Sequence, residues 1–251
     1  MDGGMVCVGS RPKDDGMNGA AHRYRVVEIF RSIDGEGRRA GMTAHFVRLA
    51  GCNLRCSYCD TAYALYGEKE ECVYTEMTAD EIIRCLDNQP RRITLTGGEP
   101  LLHKNVCHLL RRLSGSGYEI NVETNGAVPI APLWEAGLRE TVFCTVDYKL
   151  PSSGMERHML MDNYFCLSAQ DVVKFVVGDD GDIDPMLSLV KRMLLHYGSF
   201  ESMPQIYIGA VWGRYDARRI VELMLDEPLL SGAHMQLQMH KFIWSPDDRG
   251  V

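Results

Sequence analysis

The sequence predicts an α/β fold built around a mostly parallel sheet. Strand-length runs of β-branched and aromatic residues alternate with helical segments along most of the chain, and Gly and Pro mark the junctions between them. The length of 251 residues and the hydrophobic content of 45% allow a full core. Because strands separated by helices pair in parallel through right-handed crossovers, the sheet is either open and doubly wound or rolled into a partial barrel.

The first 22 residues predict a flexible leader. Residues 1–22 mix Gly, Asp and Lys with few periodic apolar residues. Ordered structure is expected from Arg23, with a single domain over 23–251. RYRVVEIFRSI and TAHFVRLAG predict two strands joined by a Gly-containing loop.

The remaining chain predicts alternating helices and strands. Thr78 and Glu81 form a capping-box pattern at the start of a helix in TADEIIRCLDNQ. Further strands are predicted in RRITLTGG, YEINVETNG, ETVFCTVDYK, DVVKFVVGDD, PQIYIGAVW and HMQLQMHKFIW, and further helices in PLLHKNVCHLLRRLSGSG, APLWEAG, DIDPMLSLVKRMLLHYG and RRIVELMLDE. Since chemistry collects at the carboxyl ends of parallel strands, we expect the segments that follow these strands to share one face.

Charge and cysteine usage restrict the classes of function. A formal charge of -7 and a pI near 5.6 argue against a nucleic-acid binder, which needs clustered Lys and Arg. No apolar run has the length of a membrane span, so no membrane partner is expected. Nine cysteines, an odd number, without a signal-peptide pattern favour reduced thiols and a cytoplasmic location.

The stretch GCNLRCSYCDT contains three cysteines in a C-x3-C-x2-C pattern, Cys52, Cys56 and Cys59. Three thiolates can hold three irons of a 4Fe-4S cluster and leave the fourth iron open to a small chelating ligand. A structural zinc site would need a fourth ligand, and Cys72 is the nearest downstream candidate. The glycines of TLTGGEP would let the backbone approach a ligand closely, although a strand-to-helix turn also explains them. From the residues alone, a 4Fe-4S cluster and a structural zinc site both remain possible.

CNLRCSYCD followed by TGGEP resembles the radical S-adenosylmethionine superfamily. With IFRSIDGEG, FVRLAGCNLRCSYCDTAY, VETNG, VDYKLPSSG and LQMHKFIW, the chain from Val26 onward looks like the 7-carboxy-7-deazaguanine synthase family. The resemblance implies a modified partial (β/α) barrel of the radical SAM type and a homodimer. It also implies a lyase of queuosine biosynthesis that converts 6-carboxy-5,6,7,8-tetrahydropterin into 7-carboxy-7-deazaguanine with loss of ammonia. The implied cofactors are a 4Fe-4S cluster, S-adenosylmethionine and Mg2+, with an external one-electron reductant of the flavodoxin or ferredoxin type.

The resemblance also implies site residues, and no general acid or base is assigned among them. Cys52, Cys56 and Cys59 would bind the cluster and Thr61 the magnesium. The cofactor would contact Gly98, Glu99, Glu123, Asn125, Asp147, Tyr148 and Lys149. The substrate would contact Ile33, Asp34, Gly35, Arg48, Thr96, Gln238 and His240.

Arg48 has a competing structural explanation, and Asp34 departs from the pattern of the family. A guanidinium fork at Arg48 suits a carboxylate, but a strand arginine paired with an acidic residue is the structural alternative. Many relatives carry Gln where this chain has Asp34. The difference matters for specificity if the substrate is read by that side chain, and little if it is read by the main chain.

Two rival functions share part of this pattern. Another small radical SAM protein, such as an activase that makes a glycyl radical on a partner, would need the cysteine loop and the GGE segment. It would not need the SIDGEG turn or the Q-x-H-K end. A zinc module that binds a protein partner would be colourless, whereas a 4Fe-4S protein is brown.

Overall fold

A computed structural model describes residues 22–65, 72–245 and 248–251. The predicted leader, 1–22, therefore lies outside the described residues except for His22. Within the described ranges the strands form one nine-stranded sheet. The strands are β1 (Arg23–Ile33), β2 (Thr43–Leu49), β3 (Thr75–Thr78), β4 (Arg92–Gly97), β5 (Glu119–Thr124), β6 (Val142–Tyr148), β7 (Val172–Val177), β8 (Gln205–Ala210) and β9 (His234–Met235).

The sheet order is β3-β1-β2-β4-β5-β6-β7-β8-β9. Strand β1 pairs antiparallel with both β2 and β3, and every pair from β2 to β9 is parallel. Because the strands from β2 to β9 run in the same direction, their carboxyl ends all meet at one edge of the sheet. The α/β class with a mostly parallel sheet is confirmed, and its open strand order is consistent with a partial barrel.

Helices connect most of the parallel strands. They are α1 (Ala79–Arg84), α2 (Val106–Gly115), α3 (Ala131–Glu135), α4 (Met161–Phe165), α5 (Ile183–Tyr197), α6 (Ala217–Asp226) and α7 (His240–Ile243). The capping box at α1 is confirmed: the Glu81 amide donates to the Thr78 hydroxyl at 3.2 Å, and the Thr78 amide donates to the Glu81 carboxylate at 2.7 Å. None of the helices in the described ranges is long and apolar enough to cross a membrane.

The core lies between the sheet and the inner faces of α2 and α5. Leu109, Leu110 and Leu113 of α2 are fully buried, as is Val190 of α5. They pack in one cluster with the buried strand residues, including Ile120 of β5. The longer helices are therefore fixed by an apolar stripe, as expected for surface helices over a sheet.

The sequence prediction was wrong for the last element. HMQLQMHKFIW was predicted as a strand, but only His234 and Met235 pair with β8. The chain then leaves the sheet, because the Met239 amide bonds to the Gly35 carbonyl at 3.2 Å. The four residues from His240 form α7 instead, closed by the Trp244 amide on the His240 carbonyl at 2.9 Å.

Candidate functional site

A cavity of about 800 Å3 lies at the carboxyl ends of the parallel strands. Residues from both ends of the chain line it, from Phe30 on β1 to the segment 248–251. Of the site residues predicted from the sequence, all except Asp34, Glu99 and Tyr148 line this one cavity. The residues brought together are Ile33, Gly35, Arg48, Cys52, Cys56, Cys59, Thr61, Thr96, Gly98, Glu123, Asn125, Asp147, Lys149, Gln238 and His240.

The cysteine loop follows β2 and is held against the GGE segment that follows β4. The Gly98 amide donates to the Leu49 carbonyl at 3.0 Å, and the Glu99 amide donates to the Gly51 carbonyl at 2.7 Å. A β-carbon on Gly98 would collide with the Gly51 carbonyl oxygen and the Cys52 side chain. Glycine is therefore required where the two segments touch.

Three free thiols, Cys52, Cys56 and Cys59, face the cavity. The Cys52 sulfur accepts hydrogen bonds from the Leu54 amide at 3.4 Å and from the Asn125 side chain at 3.5 Å. Burial raises the pKa of the Cys52 and Cys56 thiols, so they are protonated at neutral pH until a metal replaces the proton.

No three His, Cys, Asp or Glu side chains within 22–65, 72–245 and 248–251 are grouped to hold one metal ion. A 4Fe-4S cluster makes a different demand, because each of the three thiolates binds its own iron. Three thiols on one cavity wall, beside the Asn125 amide, fit that demand. The residues present therefore fit a cluster with one iron left open.

The Glu99 carboxylate does not face the cavity. It accepts hydrogen bonds from the Leu101 and Asn125 amides at 3.0 and 2.7 Å and from the Thr124 hydroxyl at 2.9 Å. Burial nevertheless raises its pKa to about 7. The side chain predicted as a cofactor contact thus ties the β4 and β5 ends together, and only the main chain of the GGE segment reaches the cavity.

Because side chains alternate between the two faces of a strand, the residues predicted in VDYK point in different directions. Asp147 and Lys149 point into the cavity and pair with each other at 2.6 Å. Tyr148 points to the other face, where its ring packs 5.3 Å from that of Tyr164 and 5.8 Å from that of Phe175. The predicted role of Tyr148 as a cofactor contact is therefore not supported by its side chain.

Asp34 is also directed away from the cavity. Its carboxylate pairs with Arg39 at 2.9 Å and accepts a hydrogen bond from the Thr94 hydroxyl at 2.6 Å, and all three side chains are buried. Since the carboxylate is used inside the protein, only its neighbours Ile33, Gly35 and Glu36 line the cavity. The turn therefore presents no Asp34 side chain to a ligand.

Arg48 combines its two predicted explanations. Its Nε atom pairs with Glu28 on the neighbouring strand at 2.6 Å, and the Tyr63 hydroxyl donates to the same carboxylate oxygen at 2.8 Å. The arginine is also part of the cavity wall. Because Nε is bound, the guanidinium is oriented. Its outer N–H groups make no hydrogen bond within the described residues and can donate to a ligand.

Thr61 lies in a small polar group at the cavity rim. Its hydroxyl donates to Asp60 at 2.9 Å, and Lys241 of α7 pairs with the same carboxylate at 3.4 Å. Although burial opposes it, Lys241 together with Thr61 lowers the pKa of Asp60 to about 2, while the Asp60 side chain is about half exposed (52%). A hydroxyl beside a carboxylate offers the hard oxygen atoms that Mg2+ prefers.

The sequence prediction missed residues in and next to the cavity. Lys174 and Tyr63 of the cavity wall, and Glu28 behind Arg48, were not selected, although Lys174 is the single charge in the strand VVKFVV. A lone lysine within an apolar strand that is buried on both faces was the available signal. Glu28 and Tyr63 had no such signal, because Glu28 acts through its cross-strand contact with Arg48 and Tyr63 through its hydrogen bond to Glu28.

Comparisons with known proteins agree with this site. Residues 47–148 match the family model described as the Radical SAM superfamily. A protein named 7-carboxy-7-deazaguanine synthase from Clostridium acetobutylicum is 39% identical over 230 residues, covering 91% of this chain and 99% of that protein. A protein of the same name from Methanospirillum hungatei is 38% identical over 226 residues, covering 88% and 86%.

A solved structure supports the fold independently. QueE from Escherichia coli superposes with a TM-score of 0.66 at 22% identity, over 87% of this chain and 95% of that one. Membership of the superfamily brings a 4Fe-4S cluster and S-adenosylmethionine as cofactors, which the three thiols and the open cavity accommodate. The chain therefore belongs to the 7-carboxy-7-deazaguanine synthase family of radical SAM enzymes.

Proposed function

We propose that this chain converts 6-carboxy-5,6,7,8-tetrahydropterin into 7-carboxy-7-deazaguanine with release of ammonia, as a lyase of queuosine biosynthesis. The observation that carries the proposal is the single cavity that holds the cysteine loop together with Arg48 and Thr61. The cysteine loop is common to the superfamily. Arg48 and Thr61 belong to the pattern by which the sequence resembles this one family.

When bound, the cluster and S-adenosylmethionine supply a one-electron cleavage that generates a hydrogen-abstracting radical, given an external one-electron reductant. The protein binds and orients the reactants and excludes water. Cys52, Cys56 and Cys59 hold the cluster, and the Gly98 main chain with Asp147 and Lys149 forms the S-adenosylmethionine wall. Enclosure by several strand ends keeps the reacting carbon away from solvent.

The substrate side of the cavity is formed by the turn after β1 and by α7. Arg48, oriented by Glu28, binds the pterin carboxylate, and Thr96, Gln238 and His240 contact the ring system. The Thr61 hydroxyl, beside Asp60, would hold Mg2+, which would supply positive charge next to the substrate. Glu123 and Asn125 complete the wall between the two ligands.

The remaining parts of the proposal concern partners and location. The reductant is a protein of the flavodoxin or ferredoxin type, and the enzyme is a homodimer. It works in the cytoplasm without nucleic-acid or membrane partners. The free state of Cys52, Cys56 and Cys59 supports the cytoplasmic location, and the net charge of -7 supports the absence of a nucleic-acid partner.

The direct test is an anaerobic incubation of cluster-loaded protein with carboxytetrahydropterin, dithionite, S-adenosylmethionine and Mg2+. We expect 7-carboxy-7-deazaguanine and ammonia in equal amounts. Absence of product from fully loaded protein that still cleaves S-adenosylmethionine would reject the proposed substrate and favour another radical SAM activity.

Arg48→Ala tests the carboxylate clamp. We expect the Kd of the pterin substrate to rise by about 10- to 100-fold, because a charged hydrogen-bonding group is lost. Cleavage of S-adenosylmethionine without substrate should persist. Arg31→Ala, at an exposed arginine of β1, is the matched control and should leave both measurements unchanged. Equal affinities of the Arg48 variant and the wild type would exclude the clamp.

A further inference from the structure

Lys174 is a buried cation in the cavity wall, and it lies outside the set of site residues that the sequence predicted. It is the only charged residue in β7, and its side chain is 12% exposed. Its ammonium lies 3.1 Å from Glu36 of the turn after β1 and 3.2 Å from Asp147 of the cofactor wall. Lys174 thus joins the two halves of the cavity.

The electrostatic surroundings keep Lys174 charged. Burial alone would lower its pKa, but Asp147 and Glu36 hold the pKa well above the ordinary value. Lys149 and Lys174 in turn hold the pKa of Asp147 below its ordinary value despite burial. Lys174 is therefore a fixed positive charge and not a proton donor at neutral pH.

An ammonium has three N–H donors. Lys174 donates a hydrogen bond to Glu36 and is ion-paired with Asp147; across 22–65, 72–245 and 248–251, no further side-chain acceptor is hydrogen-bonded to it. Glu36 also lines the cavity, and one of its oxygens is 3.5 Å from the Gln236 amide nitrogen. Lys174 and Glu36 therefore present one donor beside one carboxylate.

We propose that Lys174 and Glu36 together recognise the pyrimidine edge of the pterin, with Lys174 donating to the C4 carbonyl oxygen. Along that edge a pterin carries an acceptor at C4, a donor at N3 and a donor at the C2 amino group. A lysine beside a carboxylate offers the complementary order, since the carboxylate accepts from both N–H groups.

Arg48, Glu36 and Lys174 line the same cavity, so this pair shares one binding site with the carboxylate clamp. Glu123, in the same wall, interacts electrostatically with all three. A single bicyclic ligand with a carboxylate at one end and the pyrimidine edge at the other can then engage Arg48 and the Lys174–Glu36 pair at once. This inference rests on the proposed function, because it assumes a pterin ligand.

The experiment measures binding to cluster-loaded protein in the presence of S-adenosylmethionine. The two probes are 6-carboxypterin and 6-carboxylumazine, in which an oxygen replaces the C2 amino group. The wild type should bind the pterin about tenfold or more tightly, because the lumazine oxygen would face the Glu36 carboxylate. Glu36→Gln should reduce this discrimination, since an amide can both donate and accept.

Variants at Lys174 test the other half of the pair. Lys174→Met should raise the Kd of 6-carboxypterin by about 10- to 100-fold. Lys174→Arg should recover part of the affinity. The same change at the exposed Lys191 of α5 is the control and should have no effect. Cluster content and S-adenosylmethionine binding should be retained, because Asp147 keeps its ion pair with Lys149.

Equal binding of the two probes by the wild type would overturn the proposal, as would an unchanged pterin affinity in Lys174→Met. If that variant does not fold, the comparison of the two probes on the wild type still tests the proposed recognition of the pyrimidine edge. Failure of the wild type to form the deazaguanine product, with pterin discrimination intact, would reject the proposed reaction and leave the recognition pair standing.

Discussion

The buried ion pair between Asp34 and Arg39 provides a quantitative test of how the substrate turn is held. Replacing Arg39 with Met removes the charge and keeps most of the volume. The side chains of Asp34 and Arg39 are 3% and 4% exposed. Without the arginine, the Asp34 carboxylate stays buried, and among the described side chains the Thr94 hydroxyl, at 2.6 Å, is its one remaining hydrogen-bond partner.

The magnitude follows from what the substitution leaves behind. Arg39 pairs with Asp34 at 2.9 Å and donates to the Ile93 carbonyl at 3.0 Å and to the Thr94 hydroxyl at 2.6 Å. Breaking one partner of a buried pair costs about 3–5 kcal/mol, because the other charge remains in a poorly solvating environment. We expect Arg39→Met and Asp34→Asn each to lower the free energy of unfolding by that amount.

The assay is urea unfolding of both single variants and of the double variant. The double variant should be less destabilised than the sum of the two, since it leaves no uncompensated charge. The control is Arg218→Met on α6, where the arginine is 81% exposed and pairs with Glu222 at 2.8 Å. That change should cost about 0.5 kcal/mol or less.

The pH dependence gives the test a second measurement. Burial already raises the pKa of Asp34, and Arg39 is the strongest opposing influence. In Arg39→Met the folded protein should therefore bind a proton at Asp34 that the unfolded chain does not, so its unfolding free energy falls as pH rises. The variant should regain stability relative to wild type on acidification from neutral pH. Additive losses with no pH dependence would refute this account.

Three further predictions concern the cluster face. Cys56→Ala should abolish iron and sulfide loading in anaerobically reconstituted protein. The control Cys107→Ala, on α2, should load normally. A full cluster in the Cys56 variant would contradict the ligand assignment. Gly98→Ala should displace the cysteine loop and lower cluster content. Gly115→Ala, with open space around its position, should not. Equal cluster contents in the two variants would count against the close contact of Gly98 with Gly51 and Cys52. Because burial raises the pKa of Glu99 from 4.5 to about 7, its ionisation should lower the unfolding free energy by roughly 3 kcal/mol as pH rises between those values. Glu99→Gln should remove this slope from apoprotein unfolding curves, and an unchanged slope would exclude Glu99 as its source.

The sequence predicted the order of most strands and helices because their patterns are local. The strand β7 and the helix α5 needed only apolar runs of the right length and their flanking turns. Local patterns predicted the wrong element near the C-terminus. HMQLQMHKFIW contains strand-forming residues, but α7 forms because the chain bonds to Gly35, a contact that no local pattern encodes.

The site shows the same division. The loop cysteines and Arg48 follow from motifs and strand ends, so the sequence located them in one cavity. The directions of Glu99 and Tyr148 were not predicted, because they depend on hydrogen bonds and on the face of the strand. Asp34 was recognised as unusual, but its partner Arg39 became visible only in the folded turn.

The contact between Glu36 and Gln236, 200 residues apart in sequence, has a practical consequence for anyone preparing this enzyme. The thiols and the GGE segment lie within residues 52 to 99, whereas the opposite wall requires the chain to be assembled as far as α7. A nicked or partly folded molecule can therefore keep an intact cysteine loop while its pterin pocket is incomplete. Iron content reports on the cysteine loop and its supports and not on the pterin pocket, so a titration with a pterin ligand is the appropriate count of competent sites.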